Sequence, residues 1–231
     1  MPNGNYYGVY SGIVIDNKDP QGLGRIKIKF PFMSNDETGF WARLSMPMAG
    51  ADKGMFFLPD IEDEVLVAFE EGDMARPFII GVLWNSKDKP PAKNDDGKNN
   101  IKKIVSRSGH VISLDDKDGS EKIEIIDKSG KNSMLFDTAN NTITIKSEQD
   151  IKLEAPKGVI KLSAKNIEMT STEDTKVDAK NIQTHTSDDT QISAKGIEMS
   201  ANASAKVNAK EGLNLESSGT TTIKGTLVNI N

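Results

Sequence analysis

A chain of 231 residues with 36% apolar composition can hold one large domain or two modest ones around at least one ordinary core. Its formal charge of −5, with lysines interspersed among carboxylates, argues against nucleic acid as a partner, since such affinity rests on cationic contacts to phosphates. The absence of cysteine excludes disulfides and thiolate metal sites.

The start, MPNGNYYGVYSG, has no charged region followed by an apolar one, and no run approaches the roughly 18 apolar residues that span a bilayer. Synthesis in the cytoplasm without a signal peptide is therefore expected. The aromatic residues are unevenly placed: two Trp, three Tyr and eight Phe all lie at or before Phe136. Two parts with different packing chemistry follow from that asymmetry.

Up to about Val82, short β-branched and aromatic runs alternate with turn signals. YYGVYSGIVID, GRIKIKF, FWARL, MFFLP, EVLVAF and PFIIGVL read as strands. In NKDPQGLG, between the first two, Pro20 presets a turn and Gly22 and Gly24 supply positive φ. Five or six closely spaced strands predict a small closed barrel, because closure removes exposed edges. Residues 1–85 form this unit. Residues 86–103, NSKDKPPAKNDDGKNNIK, offer almost nothing to bury and read as a linker. Residues 104–141 read as neck hairpins, with HVISLD and KIEIID separated by D-G and S-G turns.

From Thr142 to the end, apolar and polar residues alternate and the chain repeats itself. LSAKNIEM, VDAKNIQT and ISAKGIEM begin at Leu162, Val177 and Ile192, fifteen residues apart, and VNAKEGLNL at Val207 keeps the step with one residue inserted. A short fixed period with alternation inside each unit is the signature of a β-helical stack. The inward set is Leu162, Ala164, Ile167, Met169, Val177, Ala179, Ile182, Ile192, Ala194, Ile197, Met199, Val207 and Leu213. Such small aliphatics make too thin a core for one chain winding on itself, whereas three chains around a common axis each supply one wall of a triangular prism. The expected fold is therefore all-β: an OB-fold barrel followed by an intertwined trimeric β-helix. With about 4.8 Å for each unit of about 7.5 residues, the needle is roughly 60 Å long. Its interface far exceeds the roughly 2,000 Å² of obligate association, so a homotrimer is expected.

Candidate chemistry is sparse. No nucleophile with a base, and no positioned carboxylate pair, can be picked out, so no enzymatic activity, cofactor or metal is expected. LDDKDGSEKIE resembles a calcium loop, but with Gly119 at the sixth position Leu114 stands where a carboxylate is required, and a hairpin turn explains it better. Alternation from Ile182 through Thr184 turns His185 outward; the competing reading is an ion on the trimer axis. His110 is read as closing a turn or touching a neighbouring chain, and Gly72, Asp73 and Arg76 as ordering a loop. Phe56, Phe57, Phe69 and Phe78 lie in strand-like runs, where a barrel core is a simpler use than base stacking.

With these residues laid out, the chain resembles the gene-product-five-like spike family, which includes the T-even phage central spike, phage baseplate assembly protein V and the VgrG proteins of type VI secretion. The resemblance rests on YYGVYSGIVIDNKDPQGLGRIKIKFP, FWARLSMPMAG, MFFLPDIEDEVLVAFEEGD and RPFIIGVLWN in the family's order, and on SRSGHVISLDD and the repeats up to TTIKGTLVNIN. It implies a spike that pierces a target envelope, exported on contraction from a virion or phage-tail-like particle. Three departures stand out. The barrel starts at about Tyr6, so the hub is expected to be a separate chain; the linker is too short for a lysozyme domain; and Glu62 occupies a turn where the family tends to have glycine. Trp41, Arg43 and Trp84 are the candidate hub contacts. Val228, Asn229, Ile230 and Asn231 are the blunt end that a PAAR-like tip protein or an effector would cap. The alternatives are a trimeric adhesin or tail-fibre segment binding surface glycans, which calls for needle aromatics, and a monomeric β-helix acting on polysaccharide.

Overall fold

A computed structural model describes residues 5–33 and 38–230, and Asn231 lies outside them. The chain divides into two units, Met1–Lys161 and Leu162–Asn231. In the first, β1 (Val9–Asp16), β2 (Ile26–Lys29), β3 (Phe40–Leu44), the two-residue strands β4 (Ala49–Gly50) and β5 (Lys53–Gly54), β6 (Glu64–Phe69) and β7 (Pro77–Leu83) make up the N-terminal part. Strands β1, β2, β3, β7 and β6 close into a barrel in that order, all antiparallel except β3 with β7. This is the five-stranded closed barrel expected of an OB fold.

Period-two alternation builds its interior. Val14, Ile26, Ile28, Ala42, Val65, Val67 and Ile79 are fully buried, with Phe30 and Phe69 beside them. Gly12 faces the same interior, where a Cβ would meet Val67 Cγ2 at 3.3 Å and Phe30 beyond it. Strand β1 serves both halves of the ring: Val9–Ile13 pair with β6, while Ile13–Asp16 pair with β2 across a bulge between Val14 and Asp16. Such a bulge lets one strand bend around a small barrel.

The loop after β1 is pinned by Asp19. Its carboxylate accepts the backbone N–H groups of Gln21, Leu23 and Arg25, and the Arg25 guanidinium closes on it at 2.7 Å. Gly22 and Gly24 take positive φ there, as the turn chemistry requires. Glu62 also stands at positive φ (78°), a conformation glycine adopts without strain, and its carboxylate meets Lys87 Nζ at 3.0 Å.

One expected strand does not form. MFFLP carries no ladder beyond Met55, whose N–H reaches Met48 C=O at 3.0 Å. The five-stranded ring is already closed and leaves no edge for a sixth strand. Phe56 and Phe57 accordingly lie on the surface, 79% and 55% exposed, instead of in the core expected for them. Phe69 is in the core, and Phe78 is half-buried on the outer side of β7.

The rest of the first unit is a five-stranded antiparallel meander of β8 (Ile101–Val105), β9 (Val111–Asp115), β10 (Lys122–Ile126), β11 (Ser133–Asp137) and β12 (Thr142–Lys146), each paired with the next. Strand β8 begins inside the stretch read as a linker. Gly119 and Gly130, both at positive φ, make the tight turns between β9, β10 and β11.

After β12 the chain is extended and has no strand partner of its own. Among residues 147–230 the one backbone–backbone hydrogen bond runs from Gly158 N–H to Ala155 C=O at 3.0 Å. In the second unit this extended course bends at Lys165, Thr172–Glu173, Lys180, Ser187–Asp188, Lys195, Asn202–Ala203, Lys210–Glu211, Ser218–Gly219 and Thr226. The fifteen-residue repeat is thus two straight segments and two bends, without a β-helix built inside the single chain.

Candidate functional surfaces

Three surfaces of the chain carry side chains in arrangements that a lone subunit does not use. The first is the outer wall of β2 and β3. Burial of Ala42 turns Trp41 and Arg43 outward, and Lys27 pairs with Trp41 across the strands. The Arg25 guanidinium lies 5.6 Å from the Trp41 ring centroid, Lys27 Nζ 6.0 Å from it, and the Arg43 guanidinium 4.2 Å above Phe78. Cation–π contact holds these three positive groups in place, and Arg25 is also paired with the Asp19 carboxylate. Arg25 is itself positioned from below by Asp19, whose carboxyl is held well below the usual carboxylate range, first by the Arg25 hydrogen bonds and then by the loop N–H groups. Of the three candidate hub contacts, Trp41 and Arg43 share this wall. Trp84, 69% exposed, lies just past the end of β7, six residues after Phe78, the partner of Arg43.

The second surface is one face of the meander. Its register aligns Ile104, Ile112, Ile125, Met134 and Ile145 in one cross-strand row. Leu114, Ile123, Phe136 and Ile143 form the next, with Lys102 at its end. The opposite face carries Lys103, Ser113, Glu124, Leu135 and Thr144 in its central row. The aliphatic residues of the first face remain 42–64% exposed, although an antiparallel sheet with one apolar face ordinarily packs that face on something.

The third surface is the extended segment. The larger residues of the inward set run from 54% exposure at Ile167 to 87% at Met199. Val228 and Ile230, near the C-terminal end, are 45% and 86% exposed, with Asn229 between them. His185 is exposed in the same stretch.

The polar residues singled out in the sequence hold turns. Ser106 N–H reaches His110 C=O, His110 N–H reaches Ser106 Oγ, and His110 Nδ1 accepts from Lys128 N–H at 3.2 Å. Arg76 bridges Asp73, Glu70 and Glu71, and the Asp73 carboxyl is lowered by the Ala75 N–H and by Arg76. Gly72 is buried within that turn at φ 77°. Arg107 meets Asp60 at 2.9 Å, an ion pair between the meander's first turn and the barrel that sequence spacing could not reveal. Among the described residues no three His, Asp or Glu side chains converge as metal ligands would.

The chain thus carries a barrel with an aromatic wall bearing Arg25, Lys27 and Arg43, a meander with an exposed apolar face, and a segment without strand pairing. Residues 10–84 match the family described as the type VI secretion system/phage-baseplate injector OB domain. The barrel thus carries the OB domain of that family, and the chain is similar to type VI secretion spike proteins over about half of its length. It is 28% identical over 131 residues to the type VI secretion system spike protein VgrG1a of Pseudomonas aeruginosa, covering 52% of this chain and 20% of that protein. Identity is 32% over 113 residues with VgrG1b of the same organism, covering 44% and 15%. With the spike protein VgrG3 of Vibrio cholerae it is 30% over 111 residues, covering 44% and 11%. The matched part therefore spans 11–20% of the length of these relatives.

Proposed function

We propose that the chain is the central spike of a contractile injection machine or phage-tail baseplate and works as a homotrimer. The observation that carries this reading is the 147–230 segment: extended, aliphatic, exposed, and without a backbone partner in its own chain. Backbone N–H and C=O groups and apolar side chains in that state need partners of the same length and period, and copies of the same chain supply them. Straight segments of about seven residues suit the narrow walls of a three-sided prism.

In this reading the barrel docks on a separate hub through the Arg25–Lys27–Trp41–Arg43 wall, and the exposed C-terminal residues receive a tip protein or effector. The needle is rigid because every level is hydrogen-bonded to the levels on either side. Its task is mechanical: it transmits contraction to the target envelope and carries no catalytic step. The chain is made in the cytoplasm, assembled into the particle and exported on firing. A monomeric polysaccharide-degrading β-helix has no support in the fold, since such a helix pairs its coils within one chain.

Light scattering on the purified full chain tests the proposal. The expected mass is three times 25.2 kDa. A species of 25.2 kDa that keeps its fold would refute it.

A further inference from the structure

The bends of the second unit come in two chemical kinds. Lys165, Lys180, Lys195 and Lys210 mark one kind, fifteen residues apart. Between them lie Thr172–Glu173, followed by Asp174, and Ser187–Asp188, followed by Asp189; the next, Asn202–Ala203, is neutral. Along the chain the corners from Lys165 to Lys195 therefore read basic, acidic, basic, acidic, basic, and are followed by the neutral Asn202–Ala203 and the mixed Lys210–Glu211. The unit's ion pair within the chain joins Lys176 to Asp174 at 3.3 Å, and it leaves Glu173, Asp188, Asp189 and the corner lysines without a partner among the described residues.

Two windings could use these corners. A chain closing on itself every two bends would stack lysine on lysine and carboxylate on carboxylate about 4.8 Å apart, and like charges in such contact are destabilising. Three chains sharing a threefold axis have three bends to a turn. Each edge of the prism is then visited by the chains in rotation, one level at a time. Moving up one edge gives Lys165, Glu173, Lys180, Asp188 and Lys195, each from a different chain than the one below.

We infer that the three edges of the needle are ladders of alternating charge between chains, with Lys180 of one copy lying between the Glu173 corner of a second and the Asp188 corner of a third. The inference rests on the trimer proposed above. It assigns the ladder a role in register: sliding one chain by a single level would set lysine beside lysine and carboxylate beside carboxylate.

Disulfide trapping tests it in the full chain, which has no cysteine of its own. Lys180 and Asp188 are separated within one chain by eight residues of extended backbone, about 26 Å, far beyond the reach of a disulfide. On one edge they would be about 4.8 Å apart, within that reach. Oxidised Lys180→Cys/Asp188→Cys protein is expected to run as a covalent trimer on a non-reducing denaturing gel, and each single variant as a monomer. Lys180→Cys/Ser187→Cys covers the other residue of the same corner. Lys165→Cys/Lys180→Cys should stay unlinked, being two levels apart; an intrachain link there would point to the two-bend winding and overturn the ladder. A trimeric native mass with no link from either Lys180 pair overturns the ladder and leaves the trimer standing. A monomeric native mass overturns both.

Discussion

Replacing Ile125 with aspartate puts a carboxylate at the centre of the meander's apolar face, between Ile112 and Met134 on the neighbouring strands. Ile125 is 45% exposed in the single chain. Full burial of an isoleucine is worth about 1.5–3 kcal/mol, so about 1 kcal/mol is still to be gained when the face is covered. Aspartate forfeits that in each of three copies, or about 3 kcal/mol per trimer. An unpaired polar group buried there costs about 1–3 kcal/mol more per copy, which brings the total to about 6–12 kcal/mol. At 1.4 kcal/mol per tenfold change, the association constant falls by at least about four orders of magnitude. Thr144→Asp, on the opposite face, should change stability by no more than about 0.5 kcal/mol. Light scattering and thermal unfolding of the full chain read both variants. Ile125→Asp protein that remains trimeric and melts with the wild type would show that this face stays open to water, and the reasoning would be wrong.

Other consequences concern the barrel. Ile79→Ala, at a fully buried position, should lower barrel stability by about 2–5 kcal/mol in urea unfolding followed by tryptophan fluorescence. Phe56→Ser and Phe57→Ser should each leave the same transition within about 0.5 kcal/mol, because both rings are exposed. Asp19 has its folded carboxyl pKa lowered, so its stabilisation is complete above the ordinary value near 3.9 and is lost as pH falls through the folded one. Asp19→Asn should reduce stability at neutral pH and flatten the acid side of the melting-temperature profile; an unchanged acid slope would contradict the role given to the Asp19–Arg25 pair.

Much of the barrel could be read from the sequence because its strands alternate strictly. EVLVAF and GRIKIKF put every second side chain into the interior, and the turn residues Gly22 and Gly24 adopt the positive φ their type suggests. MFFLP misled because four large apolar residues in a row resemble a strand, whereas ring closure between β3 and β7, a long-range event, decides that no edge is left for it. The meander's turns were legible from D-G and S-G pairs, but its full apolar face emerges only once the register of five strands is known. Trp41 was a recognisable surface residue. Its grouping with Arg25 and Lys27 depends on β2–β3 pairing and on the Asp19 clamp, which no local pattern announces. In the repeat the period was plain, yet the chemical alternation of its corners appears only when the bends locate the lysines and carboxylates.

The contrast between a barrel paired within its own chain and a segment with no internal partner has a kinetic meaning. The barrel can close as soon as its last strand leaves the ribosome, at a rate indifferent to concentration. Under the trimeric reading, the segment gains its strand pairing only on meeting other copies, so its ordering is a higher-order reaction that dilution slows and co-localised synthesis hastens. Each finished barrel would then hold an unfinished tail in solution until two more arrive.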